Sequence, residues 1–340
     1  MQVIGGCATS AMGILPHKDV DKALEMAFSL DIPFWPQLPH VSYYEDMYVQ
    51  FSEHFPGIKI DEEQQRITLD TTLFYEELPA YLEKSADPDT FALSEKYAYV
   101  FHRFLEHDLS KYPAIKGQVM GPISFGLRIT DEDRKPIIFH DDVRMVLFEF
   151  TREKINHQYR VLRQHNPNPI IFFDEPGLEF VFNSISGYTS DMAKRDLADL
   201  LAGIDGIKGV HLCGNPDWDF LLNADIDVLS FDAYNRGDVI VRYESVQRFI
   251  EEGKVLAWGI VPSHIEQIEN ETEDTIIDRL EGLWDTLVAK GADKDKIVQN
   301  AQLAPATCNL VGPRNEEAVE QAYELLQRVA ARLKEKYRLD

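Results

Sequence analysis

Cysteine is scarce in this 340-residue chain: Cys7, Cys213 and Cys308 are the whole supply. Three thiols are too few for a disulfide scaffold, so each is expected to be buried, catalytic or metal-bound in a reducing compartment. Long hydrophobic runs are also missing, and nowhere do the roughly 18 consecutive apolar residues of a membrane-spanning helix occur. The opening stretch Met1-Gln2-Val3-Ile4-Gly5-Gly6-Cys7 has no basic segment followed by an apolar one, so no signal peptide is expected and a cytoplasmic location is. Basic charge is in short supply, with 34 Lys and Arg against 58 Asp and Glu, a formal net charge of −24. No Lys/Arg cluster is present to meet a phosphate backbone, which argues against nucleic acid as a partner. The surplus of acid reads as a solvated surface, or more sharply as a repeller of polyanionic cofactor tails. No G-x-G-x-x-G follows the first apolar run, since Gly5-Gly6-Cys7 does not supply the spacing. There is no repeat, low-complexity tract or Gly/Ser linker to divide the chain, so residues 1–340 are expected to form one catalytic domain.

What is present is a 44% hydrophobic chain in which short apolar runs alternate with amphipathic stretches. That alternation is the pattern of parallel β/α units. Strands are expected near residues 3–6, 32–35, 117–121, 170–173, 209–212, 228–231, 255–260 and 297–303. Helical patterns fill 141–163, 189–202, 243–252 and 273–290. In the last helix Ala318, Ala322, Leu325, Val329 and Leu333 recur at three or four residues and share one face. The fold class this implies is α/β, a single (β/α)8 TIM barrel, with a doubly wound sheet as the rival. The less regular region 36–108 is expected to add helices and a small hairpin over one barrel mouth.

A barrel gathers its chemistry at the C-terminal ends of its strands. The polar residues that stand out fall there: Gly121-Pro122, Asp174-Glu175-Pro176-Gly177, His211 with Cys213, Asp232, His264 and Cys308. His211-Leu212-Cys213 puts two ligands on one side of an extended strand, because side chains alternate with period two. A closed barrel can bring Cys308 to the same mouth. One imidazole and two thiolates favour zinc, and three protein ligands leave an open position for substrate or water. Cys7, also at an expected strand end, is either a further ligand or a plain buried thiol. Asp174 and Glu175 either cap the following helix or aim a carboxylate at a substrate ammonium. Asp232 is a fourth ligand, a support for His211, or a loop cap. His264 is a lone loop histidine, and Glu45 from the irregular region is a further candidate for holding an ammonium.

Taken together, Gly13-Ile14-Leu15-Pro16-His17, Gly121-Pro122-Ile123, Asp174-Glu175-Pro176, His211-x-Cys213 and Cys308 resemble the C-terminal catalytic domain of cobalamin-independent methionine synthase. They also resemble its wider superfamily, with uroporphyrinogen decarboxylase and the zinc methyltransferases that act on methylcorrinoid proteins. The resemblance implies zinc on His211, Cys213 and Cys308, with Asp232 where the synthases carry a glutamate ligand. It implies an amino-acid substrate on Asp174 and proton transfer by His264. Ile14 stands where the synthases carry serine, and the approach to Cys308 is one residue longer. Only one barrel is present, which implies a core form that takes its methyl group from methylcobalamin on a separate corrinoid protein rather than from folate. The chain itself has no cobalamin-binding Asp-x-His-x-x-Gly motif. The expected activity is methylation of a zinc-bound thiol, homocysteine giving methionine. The alternatives are a coenzyme M methyltransferase, a zinc hydrolase and a non-catalytic binding barrel.

Overall fold

The computed structural model describes residues 3–181 and 187–339. Seven parallel strands form the sheet: β1 (Ala8–Thr9), β4 (Ile115–Met120), β5 (Pro169–Asp174), β6 (Ile207–Leu212), β7 (Val228–Phe231), β8 (Val255–Val261) and β9 (Ala301–Pro305). Their order is β1-β9-β8-β7-β6-β5-β4, with each strand from β4 to β9 joined to the next through helices and β1 pairing with β9 from the far end of the chain. A separate antiparallel hairpin, β2 (Ile58–Asp61) with β3 (Arg66–Leu69), lies in the irregular region, as do helices Met47–Phe51, Thr71–Lys84 and Tyr99–Leu105.

The gap between β1 and β4 is filled by residues 32–37. Ile32 N donates to Thr9 O at 3.0 Å, Lys116 N donates to Pro33 O at 2.8 Å, and Gln37 N donates to Gly13 O at 2.8 Å. Two isolated bridges, Phe34 with Lys116 and Ile14 with Gln37, complete the junction. Pro33 and Pro36 lack the N–H that a continuous ladder needs, so this eighth position makes bridges instead of a strand. The side chains agree with closure. Ala8, Ile32, Ala114, Ile170, Phe172, Ile207, Val228, Val255 and Ala257 form one apolar cluster inside the ring. The alternate residues, such as Ile171, Val210, Leu229 and Leu256, belong to the larger cluster under the helices. The architecture is that of a TIM-like barrel.

Three expected strands shift. The first begins at Ala8 rather than within 3–6, because Gly6 and Cys7 turn through φ 64° and 60° just before it. The last begins at Ala301, since 297–299 belongs to helix Lys294–Gln299, whose N-terminus is capped by Asp293 at 2.8 Å from Asp295 N. The 32–35 segment is bridged only. The outer helices follow expectation: Asp141–Leu162, Ser190–Ala202, Glu244–Glu251, Glu273–Ala289 and Asn315–Tyr337. Glu273–Ala289 opens on a capping box between Thr272 and Thr275.

Candidate functional site

The register of the ladder sets the site. Asp174 on β5 pairs with His211 on β6, and His211 pairs with Ser230 on β7. Neighbouring strands lie about 4.8 Å apart, so three polar side chains stand in a row on the inner face of the barrel. All three are buried, and each sits at or next to the C-terminal end of its strand.

His211 is fixed at both ring nitrogens. Nδ1 lies 2.9 Å from Ser230 Oγ, and Nε2 lies 3.1 Å from Cys213 Sγ. Burial, with a smaller push from the Lys116 ammonium, drops its pKa to about 3, so the ring is neutral at any physiological pH. With the proton on Nδ1 and donated to Ser230, Nε2 presents its lone pair to the Cys213 side. That is the tautomer a metal-binding histidine requires.

Cys213 follows the end of β6 and is half-buried; Cys308, beyond β9, is exposed at the rim. Desolvation by the surrounding protein raises both thiols above their ordinary value, the Asp174 charge adds to it at Cys308, and the charges of Cys308, Asp174 and Asp232 add to it at Cys213. Neither is a ready thiolate on its own, which disfavours a simple cysteine nucleophile. Cys308 is held by a knot that sequence reasoning missed. Ser263 Oγ donates to Thr307 O at 2.6 Å, Thr307 N donates back to Ser263 Oγ at 3.1 Å, and Asn309 Nδ2 donates to Ser263 O at 2.7 Å. These bonds tie the β8 and β9 loops together on either side of the thiol.

Asp174 is 8% exposed, and its carboxylate meets no hydrogen-bond donor among the described residues. Desolvation lifts its pKa to about 6, against the opposing pull of Lys116. Lys116, an inward residue of β4, is buried with Nζ 2.7 Å from Ala11 O and 4.1 Å from the centre of the Phe172 ring. Burial lowers its pKa to about 8, with Asp174 opposing. At neutral pH the pair is an ionised acid facing the mouth above a buried cation. Lys116 and Ser230 were not singled out from the sequence. The signal was there in polar residues at alternate positions of otherwise apolar strands, as in Ile115-Lys116-Gly117-Gln118-Val119.

Several expected site residues have other employment. Glu175 is fully buried: Oε1 accepts from Ile123 N at 3.0 Å, and Oε2 accepts from Ser124 N at 2.8 Å and Ser124 Oγ at 2.6 Å. It closes the N-terminus of helix Pro122–Arg128 instead of facing a substrate. This explains Gly121 as well, because a Cβ there would stand 2.2 Å from the Glu175 carboxyl carbon. Glu45, also buried, accepts from Val100 N at 3.1 Å through Oε1 at the start of helix Tyr99–Leu105, and its Oε2 has no hydrogen-bond partner among the described residues. Asp232 caps helix Ala233–Ile240, accepting from Asn235 N at 3.0 Å and Asn235 Nδ2 at 2.8 Å. It stays within electrostatic reach of Cys213. His264 is exposed at the start of helix Ile265–Ile268 and makes no side-chain hydrogen bond among the described residues. Cys7 precedes β1, wholly buried, with its thiol pushed up to about 12; it is a core residue away from the mouth.

The donor chemistry of His211, Cys213 and Cys308 suits zinc in kind: a neutral imidazole in contact with one thiol, a second thiol near enough to perturb the first, and no cation but Lys116 among the charges acting on them. In arrangement the group is not closed. Among the described residues, no three His, Cys, Asp or Glu stand close enough together to hold a metal ion.

No protein-family model matches the sequence, and no curated protein matches it. Among solved structures, the chain is similar to a methyltransferase from Methanosarcina mazei, with a TM-score of 0.57 over 95% of this chain and 94% of that one. The two share 12% sequence identity, so the likeness is one of fold. No helix among the described residues is long and apolar enough to cross a membrane.

Proposed function

We propose that this chain is a zinc-dependent thiol methyltransferase that methylates homocysteine with a methyl group supplied by a methylated corrinoid protein. The observation that carries the reading is the row Asp174–His211–Ser230, with Cys213 at 3.1 Å from His211 and Cys308 held at the rim of the same mouth. The whole-length likeness to a protein described as a methyltransferase supports it.

His211, Cys213 and Cys308 would hold the zinc. A bound zinc ion supplies the positive charge that lets a substrate thiol lose its proton and become a nucleophile at neutral pH. The remaining roles belong to the chain. Ser230, accepting from Nδ1–H, would hold His211 with Nε2 free for the metal. Asp174, ionised and with no hydrogen-bond donor on it among the described residues, receives the ammonium of the amino-acid thiol. Lys116 beneath it keeps that carboxylate charged. The apolar interior below, from Phe172 to Val228, bars water from approaching that way. Orientation of acceptor against donor then supplies much of the rate. Homocysteine fits better than coenzyme M, because a sulfonate in place of the ammonium would face Asp174 with like charge. Glu175 is taken up by the N-terminus of helix Pro122–Arg128 and Glu45 Oε1 by Val100 N, so the ammonium is assigned first to Asp174.

Metal analysis tests the reading. About one zinc per wild-type chain is expected, with occupancy lost in Cys213→Ser and in Cys308→Ser. Full zinc in either variant removes that residue from the site.

A further inference from the structure

Between the irregular region and the loop past Cys308 opens a cavity of about 560 Å³, a volume suited to a small molecule. Its walls come from the 39–48 segment, the β2–β3 hairpin, the end of helix Pro122–Arg128 and the loop just past Cys308. Tyr48 belongs to both places, for it lines the cavity and its phenol feels the charges of Glu175 and Asp174. The hairpin is docked by Leu69 N donating to Thr130 O at 3.0 Å, so the walls are joined to each other.

Two guanidiniums, Arg66 and Arg128, line this cavity, and both are exposed. Neither side chain has a hydrogen bond or an ion pair among the described residues. Elsewhere on the surface Arg103, Arg152, Arg314, Arg328 and Arg332 are all paired with acids. Arg128 acts by charge on Asp46, Tyr43 and Tyr48, so the two guanidiniums make this concavity a cationic spot on a chain with 58 acids against 34 bases. Asp46 is the sole acid of the lining. Its Oδ1 is committed to Tyr48 N at 2.9 Å and Val49 N at 3.3 Å, capping helix Met47–Phe51. The phenols of Tyr43 and Tyr48 add donors, and Val311, 83% exposed, adds an apolar lip.

We propose that this cavity binds the oxyanion end, phosphate or carboxylate, of a small molecule or pendant arm. Arg66 and Arg128 grip the oxyanion, and Tyr43 and Tyr48 complete its shell. Guanidinium matches both anions through paired N–H donors and stays charged at every relevant pH. A ligand held there lies against the loop just past Cys308, where Leu310 and Val311 line the cavity. That this ligand is the group donor rests on the methyl-transfer reading; that an oxyanion binds does not.

The test is calorimetric titration of the whole chain with inorganic phosphate and, separately, with succinate, at constant ionic strength set with chloride. Arg66→Ala and Arg128→Ala are compared with wild type, with Arg128→Lys to keep charge but lose the fork. Arg242→Ala, whose guanidinium pairs with Asp238 on an outer helix, is the control. Saturable binding of one anion is expected, weakened about ten-fold or more by each alanine variant and unchanged in the control. The preferred anion identifies the ligand's end group. Saturable binding of neither anion, or equal binding in wild type and both alanine variants, overturns the proposal. The titration needs neither zinc nor thiol. A chain that binds oxyanion here but transfers no methyl group loses only the donor assignment; one that transfers methyl but binds no oxyanion loses this site alone.

Discussion

Asp174→Asn is expected to stabilise the metal-free protein at neutral pH while abolishing its hold on the substrate. In the fold, burial disfavours the charged carboxyl and lifts its pKa from the ordinary 3.8 to about 6. The direction follows from linkage. A carboxyl whose folded pKa is raised costs nothing while it is protonated in both states, below about pH 4. The cost grows as pH rises from the unfolded to the folded value, and it is constant above. A gap of about 2 pKa units corresponds to about 3 kcal/mol at pH 7. Asparagine keeps the shape and removes the charge, so the variant should gain roughly that amount at pH 7 and almost nothing at pH 4. For a chain of this length the gain at pH 7 is roughly 6 °C in Tm, at about 2 °C per kcal/mol. Urea or thermal unfolding of chelator-treated wild type and variant at the two pH values measures it. A variant equally displaced at both pH values, or destabilised at pH 7, would refute the claim that a buried, unpartnered carboxylate is held charged at the mouth.

Ser230→Ala removes the acceptor for His211 Nδ1–H, so zinc affinity should fall about 10- to 100-fold in a chelator competition, with the fold unchanged. Equal affinity would mean that the 2.9 Å bond does not set the tautomer. Glu175→Ala leaves the first N–H groups of helix Pro122–Arg128 without their acceptor and should cost about 2 kcal/mol or more in unfolding, with zinc content intact. A variant of wild-type stability that cannot bind thiol would return Glu175 to the substrate. Methylcobalamin is expected to serve as donor and methyl-tetrahydrofolate to fail, in line with the net charge of −24. Brisk turnover with folate alone would reverse that, and a carboxylate preference at Arg66 and Arg128 would be expected to accompany it.

The alternation of apolar runs with amphipathic helices made the barrel legible, and strand ends told where its mouth lies. His211, Cys213, Asp174 and Cys308 fall at strand ends as the spacing implies, because period-two alternation in a closed sheet leaves few options. What the chain does not announce is the use of each acid. Asp174, Glu175 and Asp232 all follow a strand and precede a helix, where a carboxylate serves equally as helix cap or ligand holder. Only the hydrogen bonds separate them: Glu175 and Asp232 face backbone N–H groups, and Asp174 does not. Boundaries failed where local backbone overrode pattern, at the left-handed Gly6-Cys7 turn, the Pro-interrupted 32–37 segment and the Asp293-capped helix. Lys116 stayed hidden because the expected strand begins at 117, whereas the strand of the fold begins at Ile115 and turns Lys116 inward.

The central claim is thiol activation at the barrel mouth. Zinc-loaded protein should be mixed with methylcobalamin and homocysteine, and methionine formation followed beside Cys213→Ser and the chelator-treated wild type. Methionine formed by the loaded wild type, and lost in both controls, is the expected result. Methyl transfer that proceeds equally with Cys213→Ser or without metal, or no transfer to any thiol from a chain carrying a full zinc, would contradict it.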